Sequence, residues 1–455
     1  MKIFYFILAG QAMSLLGTSL TNFGLSVWVY EQAGSVMDFT LVAVAGALPT
    51  LLFSPVAGAL VDRWPRKKTL VIGQLGSALC TLVGACLYWA NMLMVWHIIM
   101  LVTCSAVFMA FLRPGFTATI TLLVGKDDLG KANGALATTF GLVQLIAPAL
   151  AGALIHWVGL QWVFAINLLT FVIGIAVLLA AAIPLIHKND DIPNSSIASE
   201  IKEAWLYLRN KPGLLMLLAL TAAVNFNLAA IQVLVIPVVL GFANKAELGV
   251  VMSVGGAGML FGGIFMMSWR GPKQNIHGVL SSGLIIALLI ILFPIVPSTY
   301  VFAAGVFLAM AAYPVFMACS QSIWQRKVDI TMQGRLFSFR NMVIGVVAPL
   351  AYVSSGFLAD YVFEPLLMDS KKLSEMMSGG FLWLGDLYGY GPGRGVAAMV
   401  SVYGVVCFVC LLLGCMNNGI RNIDTDLPDA EDSDKLQGNE ELNDKQECVG
   451  NGAAV

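Results

Sequence analysis

Asp62, Arg63, Arg66, Lys67 and Lys68 set one acid and four bases side by side between two long apolar stretches. A carboxylate at a helix end gains nothing from that helix's own negative terminus and wants an outside partner. Such a cluster must lie at a membrane surface, and its positive sign puts it on the cytoplasmic side. Arg113 stands alone deep in another apolar stretch. A guanidinium left in lipid costs at least ~2.5–3.5 kcal/mol, so it must face a polar cavity, a partner, or the carbonyls freed near Pro114. Glu31 and Asp38 flank one loop and are titratable groups that could carry a proton, whereas no acid lies in the middle of any apolar stretch.

A second group of residues suits binding. Gln11, Ser14, Thr18, Thr21 and Asn22 recur at spacings of three or four, or nearly so, and share one helical face. Thr221, Asn225 and Gln232 do the same later in the chain, with Asn227 turned away. Such faces either glue helices together or contact a solute. Met109, Phe116, Phe226, Tyr313 and Trp324 would complete a soft, aromatic, weakly charged lining. It suits bulky amphiphiles better than sugars or small ions. Catalysis has no such footing. There is no Gly-x-x-x-x-Gly-Lys phosphate loop, and the four histidines are scattered. The eight cysteines follow no ligand spacing, and Cys407 and Cys410 lie inside an apolar run. No enzyme activity, cofactor, metal or nucleic-acid partner is expected.

The elements that position these residues are membrane helices. The chain is 58% hydrophobic and 11% charged, with a mean hydropathy of +0.84, more apolar surface than a water-soluble fold of 455 residues could hide. At ~20 apolar residues per crossing, twelve spans follow: 4–30, 38–61, 69–90, 94–123, 131–157, 161–185, 213–241, 247–269, 275–296, 299–322, 333–359 and 394–416. The fold class is therefore an all-α membrane protein of two six-helix halves, 1–186 and 213–416. A polar linker at 187–212, with an amphipathic helix, joins them. With both ends cytoplasmic, twenty of the 25 Lys and Arg fall on the inner side, as positive-inside orientation requires. The last stretch, 417–455, carries ten of the 26 acids and reads as a solvated, disordered cytoplasmic tail. The halves also echo each other: Gly130 and Pro148 in span five stand where Gly334 and Pro349 stand in span eleven.

The order Gly58-x-x-x-Asp62-Arg63-x-x-Arg66-Lys67 resembles the loop after the second helix of the major facilitator superfamily of transporters. With Ala9 to Leu15 and Gly334 to Ser338, the likeness is to its drug-exporter branch, specifically bacterial macrolide-efflux-type permeases. The resemblance implies a twelve-helix secondary transporter whose substrate site lies near the midplane between the halves. It implies a gate in which Asp62 faces the start of span eleven at Gly334 to Phe337, while Arg63 or Arg66 reaches Asp127 or Asp128. It makes Arg113 a proton-coupling residue. Gly134, Pro148 and Gly152 match half of an antiporter signature, whose other glycines are here Val143, Ala147 and Ala151. The implied activity is export of amphiphilic small molecules by proton antiport with alternating access, from a monomer among lipids in a bacterial plasma membrane. A nutrient importer, a lysolipid flippase and a non-transporting scaffold acting through the acidic tail stay open as rivals.

Overall fold

The computed structural model describes residues 2–63, 65–124, 129–181, 197–269, 271–368 and 382–427, and these are helices and short connections, without a strand among them. The first half contains α1 (Lys2–Ala33), α2 (Val36–Arg63), α3 (Arg66–Trp89), α4 (Val95–Leu123), α5 (Leu129–Trp157) and α6 (Leu160–Ala180). After α7 (Ile197–Arg209), the second half holds α8 (Pro212–Leu240), α9 (Lys245–Ser268), α10 (Asn275–Leu292), α11 (Thr299–Lys327) and α12 (Ile330–Leu358). A π-turn (Ala359–Phe363) prolongs α12 into α13 (Glu364–Leu367). Then come α14 (Leu382–Tyr388), α15 (Arg394–Met416), α16 (Asn418–Arg421) and α17 (Ile423–Asp426).

Twelve of these helices, α1–α6, α8–α12 and α15, are long and apolar enough to cross a bilayer. In lipid every backbone group must be paired within its own segment, so an apolar chain of this length is forced into helices. Leu52, Leu79, Met100, Ile264 and Leu350 remain exposed on their outer faces, where hydrocarbon rather than water would meet them. Local chemistry sets the helix starts. Pro65 and Pro212 stand at or just before the first turns of α3 and α8, where a missing N–H costs nothing. Before α9, Asn244 accepts from the Glu247 N–H at 2.9 Å and Glu247 accepts from the Asn244 N–H at 3.0 Å, a reciprocal cap.

The helix α7 lies between the two sets of spanning helices. Ala204 and Leu208 are buried, Trp205 and Leu206 exposed. It is tied to the second half by Glu203 to Arg335 at 2.5 Å and by the Tyr207 hydroxyl donating to Asp329 at 3.0 Å. The tail departs from expectation at its root. Instead of leaving the bundle at 417, the chain forms α16 and α17, with Ile420 and Ile423 buried. Asp424 accepts from the Ile276 N–H at 2.9 Å, and Lys327 donates to the Asp424 carbonyl at 2.7 Å. Two isoleucines and a buried lysine supply the burial and pairing that acidic composition hides. Residues 428–455 lie outside the described part.

Candidate functional site

Thr18, Thr21, Asn22 and Leu25 of α1 form one wall of a cavity of about 250 Å3 inside the first half. The other walls bring Thr50 from α2, Cys80 and Thr81 from α3, Ser105 and Met109 from α4, and Phe164, Asn167 and Phe171 from α6. Asn22 is exposed, and Thr18, Thr50, Ser105 and Met109 are half-buried; Thr21, Cys80, Asn167 and both phenylalanines are buried. No charged side chain among the described residues lines it. The α1–α6 contact beside it depends on Gly17, because a Cβ there would lie 2.8 Å from Asn167 Oδ1 and nearer still to Thr170 Oγ1.

The threonines spend their protons on their own helices. Thr18 donates to the Ser14 carbonyl at 2.9 Å, Thr50 to Gly46 at 3.0 Å and Thr81 to Ser77 at 3.0 Å. Their free lone pairs make the wall chiefly an acceptor surface. Thr21 Oγ1 and Asn167 Oδ1, both buried, have no hydrogen-bond partner among the described residues. Deeper in the same half, Gln74 donates to Gln11 Oε1 at 3.0 Å, and Ser77 Oγ is also without a partner. A polar seam thus runs from Gln11 to the cavity.

The other expected binding residues are placed differently. Gln11 is engaged with Gln74 and is not on the cavity wall. Phe116 packs against Phe4, Leu8, Ile7 and Leu70 in the interior of the first half. Asn225 donates to the Thr221 carbonyl at 2.8 Å and accepts from the Tyr313 hydroxyl at 3.2 Å, while Gln232 accepts from Tyr352 at 3.2 Å. These pairs join α8 to α11 and α12, so the polar face of α8 acts as glue between helices. Trp324, expected to line a cavity, is instead fully buried in the core of the second half, with Arg340 over its ring at 5.6 Å. Indole area favours burial more strongly than its single N–H opposes it. Thr50, Thr81, Ser105 and Asn167 were not picked out from the sequence. Each stands singly in an apolar run, and an isolated amide such as Asn167 was the sole available signal.

The two halves meet along α5–α9 and α2–α12, and both pairs are clamped at one end only. A Cβ at Gly249 would lie 2.5 Å from the Pro148 carbonyl, and one at Gly256 would lie 2.8 Å from the Gln144 carbonyl. Pro148 lacks an N–H, and nearby the Ala149 N–H donates across to Ser253 Oγ at 2.9 Å. The same faces continue to Gly134 and Gly263, where a Cβ would meet nothing within 4 Å. On α12 the glycines at 356, 345 and 334 recur every eleven residues on one face. Gly356 touches Thr40, a Cβ at Gly345 would meet Leu51 at 2.7 Å, and one at Gly334 would meet nothing within 4 Å among the described residues.

Charged residues reinforce the clamped end. Asp360 accepts from the Ser35 hydroxyl at 2.7 Å, the Val36 N–H at 2.9 Å and the Met37 N–H at 2.8 Å, at the start of α2. Glu31 pairs with Lys245 at 2.9 Å, beside a second cavity of about 360 Å3 that includes Tyr30 and His156. Asp38 is half-buried in the first turn of α2. Glu364 accepts from the Gly393 N–H at 2.6 Å and the Val396 N–H at 3.2 Å, capping α15 within the second half.

At the parted end Lys67, grouped with the gate from the sequence, donates to the carbonyls of Leu179 and Ala181 at 2.6 and 3.0 Å. It therefore ties α3 to α6 within one half. The backbones of Gly58, Asp62, Arg63 and Arg66 lie at the end of α2 and the start of α3, that of Arg113 within α4. Their side chains, and Asp127 and Asp128 entirely, lie outside the described residues.

Residues 7–352 match the Major Facilitator Superfamily. Macrolide efflux protein A of Streptococcus pyogenes is 24% identical over 363 residues, covering 79% of this chain and 90% of that protein. Multi-drug resistance efflux pump PmrA of Streptococcus pneumoniae is 26% identical over 210 residues, covering 44% and 49%. Among solved structures, a bacterial homologue of the human lysosomal transporter Spinster superposes with a TM-score of 0.65 at 15% identity, covering 90% of this chain and 94% of that one. A bacterial homologue of ferroportin does so with a TM-score of 0.63 at 14% identity, covering 90% and 98%. The twelve spanning helices and the match over most of its length make this chain a member of the Major Facilitator Superfamily.

Proposed function

We propose that this transporter exports amphiphilic small molecules, macrolide-like drugs or natural products, from a bacterial cytoplasm in exchange for protons. The observation that carries the mechanism is the one-ended clamp. Two helix pairs between the halves are in backbone contact at one end and parted at the other, the geometry required of two rigid halves rocking about a central site. The parted end carries Lys67, Lys131, Arg209, Lys211 and Arg335, and the clamped end Lys245 and Arg394, a bias that supports a cytoplasmic parted end with both termini on that side. The relatives named for efflux favour export over import.

In this reading solute enters from the parted end, with Thr18 and Asn22 on its path. Gly58, Asp62, Arg63, Arg66 and Asp128 close behind it against the start of α12 at Gly334. Protons arrive at the clamped end, where Glu31, Asp38 and Asp360 stand, and Arg113 responds to them from within the first half. Glu31 holds Lys245 and Asp360 holds the start of α2, contacts that must break for this face to open. The protein works as a monomer in lipid. The test is accumulation of a labelled macrolide and a hydrophobic cationic dye in cells expressing the chain. Expression should lower accumulation, a proton uncoupler should restore it, and Asp62→Asn or Arg113→Ala should abolish the difference. Unchanged accumulation at normal membrane expression would overturn the reading.

A further inference from the structure

The cavity within the first half makes a narrower demand on its occupant than an amphiphile in general. Its volume, about 250 Å3, is below the ~300–1,000 Å3 of sites that enclose drug-sized ligands. It holds the equivalent of about eight water molecules at ~30 Å3 each. A whole macrolide does not fit; a single six-membered ring with its substituents does. Among the described residues the lining has no acid or base, so an ionised group entering it would meet no counter-charge from them and keep its desolvation cost.

Hydrogen-bond polarity narrows the choice further. Thr18, Thr50 and Thr81 have committed their protons to backbone carbonyls, and Asn167 Oδ1 and Thr21 Oγ1 are buried without partners. Asn167 Oδ1 calls for a donor, and the uncommitted hydroxyl of Thr21 can donate or accept, so hydroxyl groups on the occupant satisfy both. Phe164 and Phe171 supply flat apolar surface on the α6 side. Several hydroxyl donors and one apolar ring face, with no net charge, describe a neutral sugar or cyclic polyol. The exposed Asn22 and half-buried Met109 lie where an attached apolar body would leave the cavity.

Resting on the exporter reading above, we infer that this cavity seats the neutral hydroxylated ring of an amphiphile, a glycosyl or polyol group. Its hydroxyls donate to Asn167 Oδ1, Thr21 Oγ1 and the threonine lone pairs, while its carbon face lies on Phe164 and Phe171. Composition alone had pointed away from sugars, because these hydroxyls are scattered over four helices, with the Asn167 amide on a fifth, and converge only in the fold.

The full-length protein in lipid nanodiscs is photolabelled with a diazirine-bearing alkyl glucoside, and the modified peptides are mapped by mass spectrometry. Competitors are the unlabelled glucoside, an alkyl sulfate and an alkyltrimethylammonium of equal chain length, and soluble methyl glucoside. Label is expected in the 18–25 and 164–171 segments, displaced at least tenfold more effectively by the alkyl glucoside than by either charged amphiphile. Methyl glucoside should compete weakly, which marks a tethered ring rather than a free sugar as the occupant; equal competition by it would overturn that assignment. Thr21→Val, which keeps shape and removes one hydroxyl, should cut specific labelling about three- to tenfold, the worth of one neutral hydrogen bond. Ser105→Ala at the rim gives a second, milder test should Thr21→Val fold poorly.

Equal competition by charged amphiphiles, label spread over the lipid-facing surface, or unchanged labelling in both variants overturns the proposal. Macrolide export is followed in parallel. Export without glucoside selectivity overturns the cavity assignment and leaves the exporter standing. Selectivity without export overturns the exporter and leaves the cavity as a glycoside site.

Discussion

Asp360 and Glu31 each reach across from one half to the other, but they do not weigh the same. Asp360 accepts three hydrogen bonds, two of them from free amides at the start of α2, where an anion is favoured. Hydrogen bonds to a charged group are worth ~1.5–3 kcal/mol each. The Glu31–Lys245 pair keeps 40% and 31% of its side-chain surface exposed, and such pairs contribute ~0.2–1 kcal/mol. Asp360→Ala should therefore shift the equilibrium toward opening of this face by more than tenfold, and Glu31→Gln by no more than about fivefold. The rate at which an impermeant maleimide labels Ala243→Cys, in the second cavity, reads both; equal effects would show that Asp360 is not the main latch. The residue scale was only partly legible in the sequence. Thr18 and Asn22 stood out because polar residues four apart share a helical face. Asn167 and Thr81 did not, because a lone polar residue in an apolar run looks alike whether it faces a cavity or a neighbouring helix. Asp360 falls one residue beyond the span 333–359, and nothing in its neighbours announces the π-turn that carries the helix on to Leu367.

At the scale of helices, the contrast between Gly249 and Gly263 makes opposite demands in the two states. A Cβ at Gly249 would press on the Pro148 carbonyl, and backbone cannot yield as a flexible side chain can. Gly249→Ala should cost ~1–3 kcal/mol, in the range of overpacked sites, and lower the thermal stability of the clamped form. Gly263→Ala meets nothing and should leave stability unchanged. Gly263→Trp should still permit entry of solute from the parted end but block closure there, giving binding without turnover. A Gly263→Trp protein that transports at the normal rate would mean that α5 and α9 do not close at this end. The small-residue stripe on span five was visible in the sequence. Its partner was not, because the stripe on α9 could have served any neighbouring helix until the fold set Gly249 against Pro148.

The whole molecule was the most legible level. Twelve apolar runs fix twelve crossings almost independently of side-chain detail, because lipid permits no other backbone arrangement. The tail was harder, since acidic composition masks two short helical turns that hold Lys327 and Ile276. Removing residues 428–455 leaves those turns in place and should preserve transport to within about twofold. Removing 418–455 takes the Asp424 and Leu427 carbonyls from buried Lys327 and the Asp424 carboxylate from the Ile276 N–H, and should lower thermal stability measurably, as seen by unfolding of the purified protein. The central claim is outward transport coupled to proton entry. Everted membrane vesicles test it most directly, because there an exporter pumps into the lumen. Respiring everted vesicles containing this chain should accumulate a labelled macrolide, and an uncoupler should release it. Uptake confined to right-side-out vesicles, or none in either orientation with the protein present, would contradict the account.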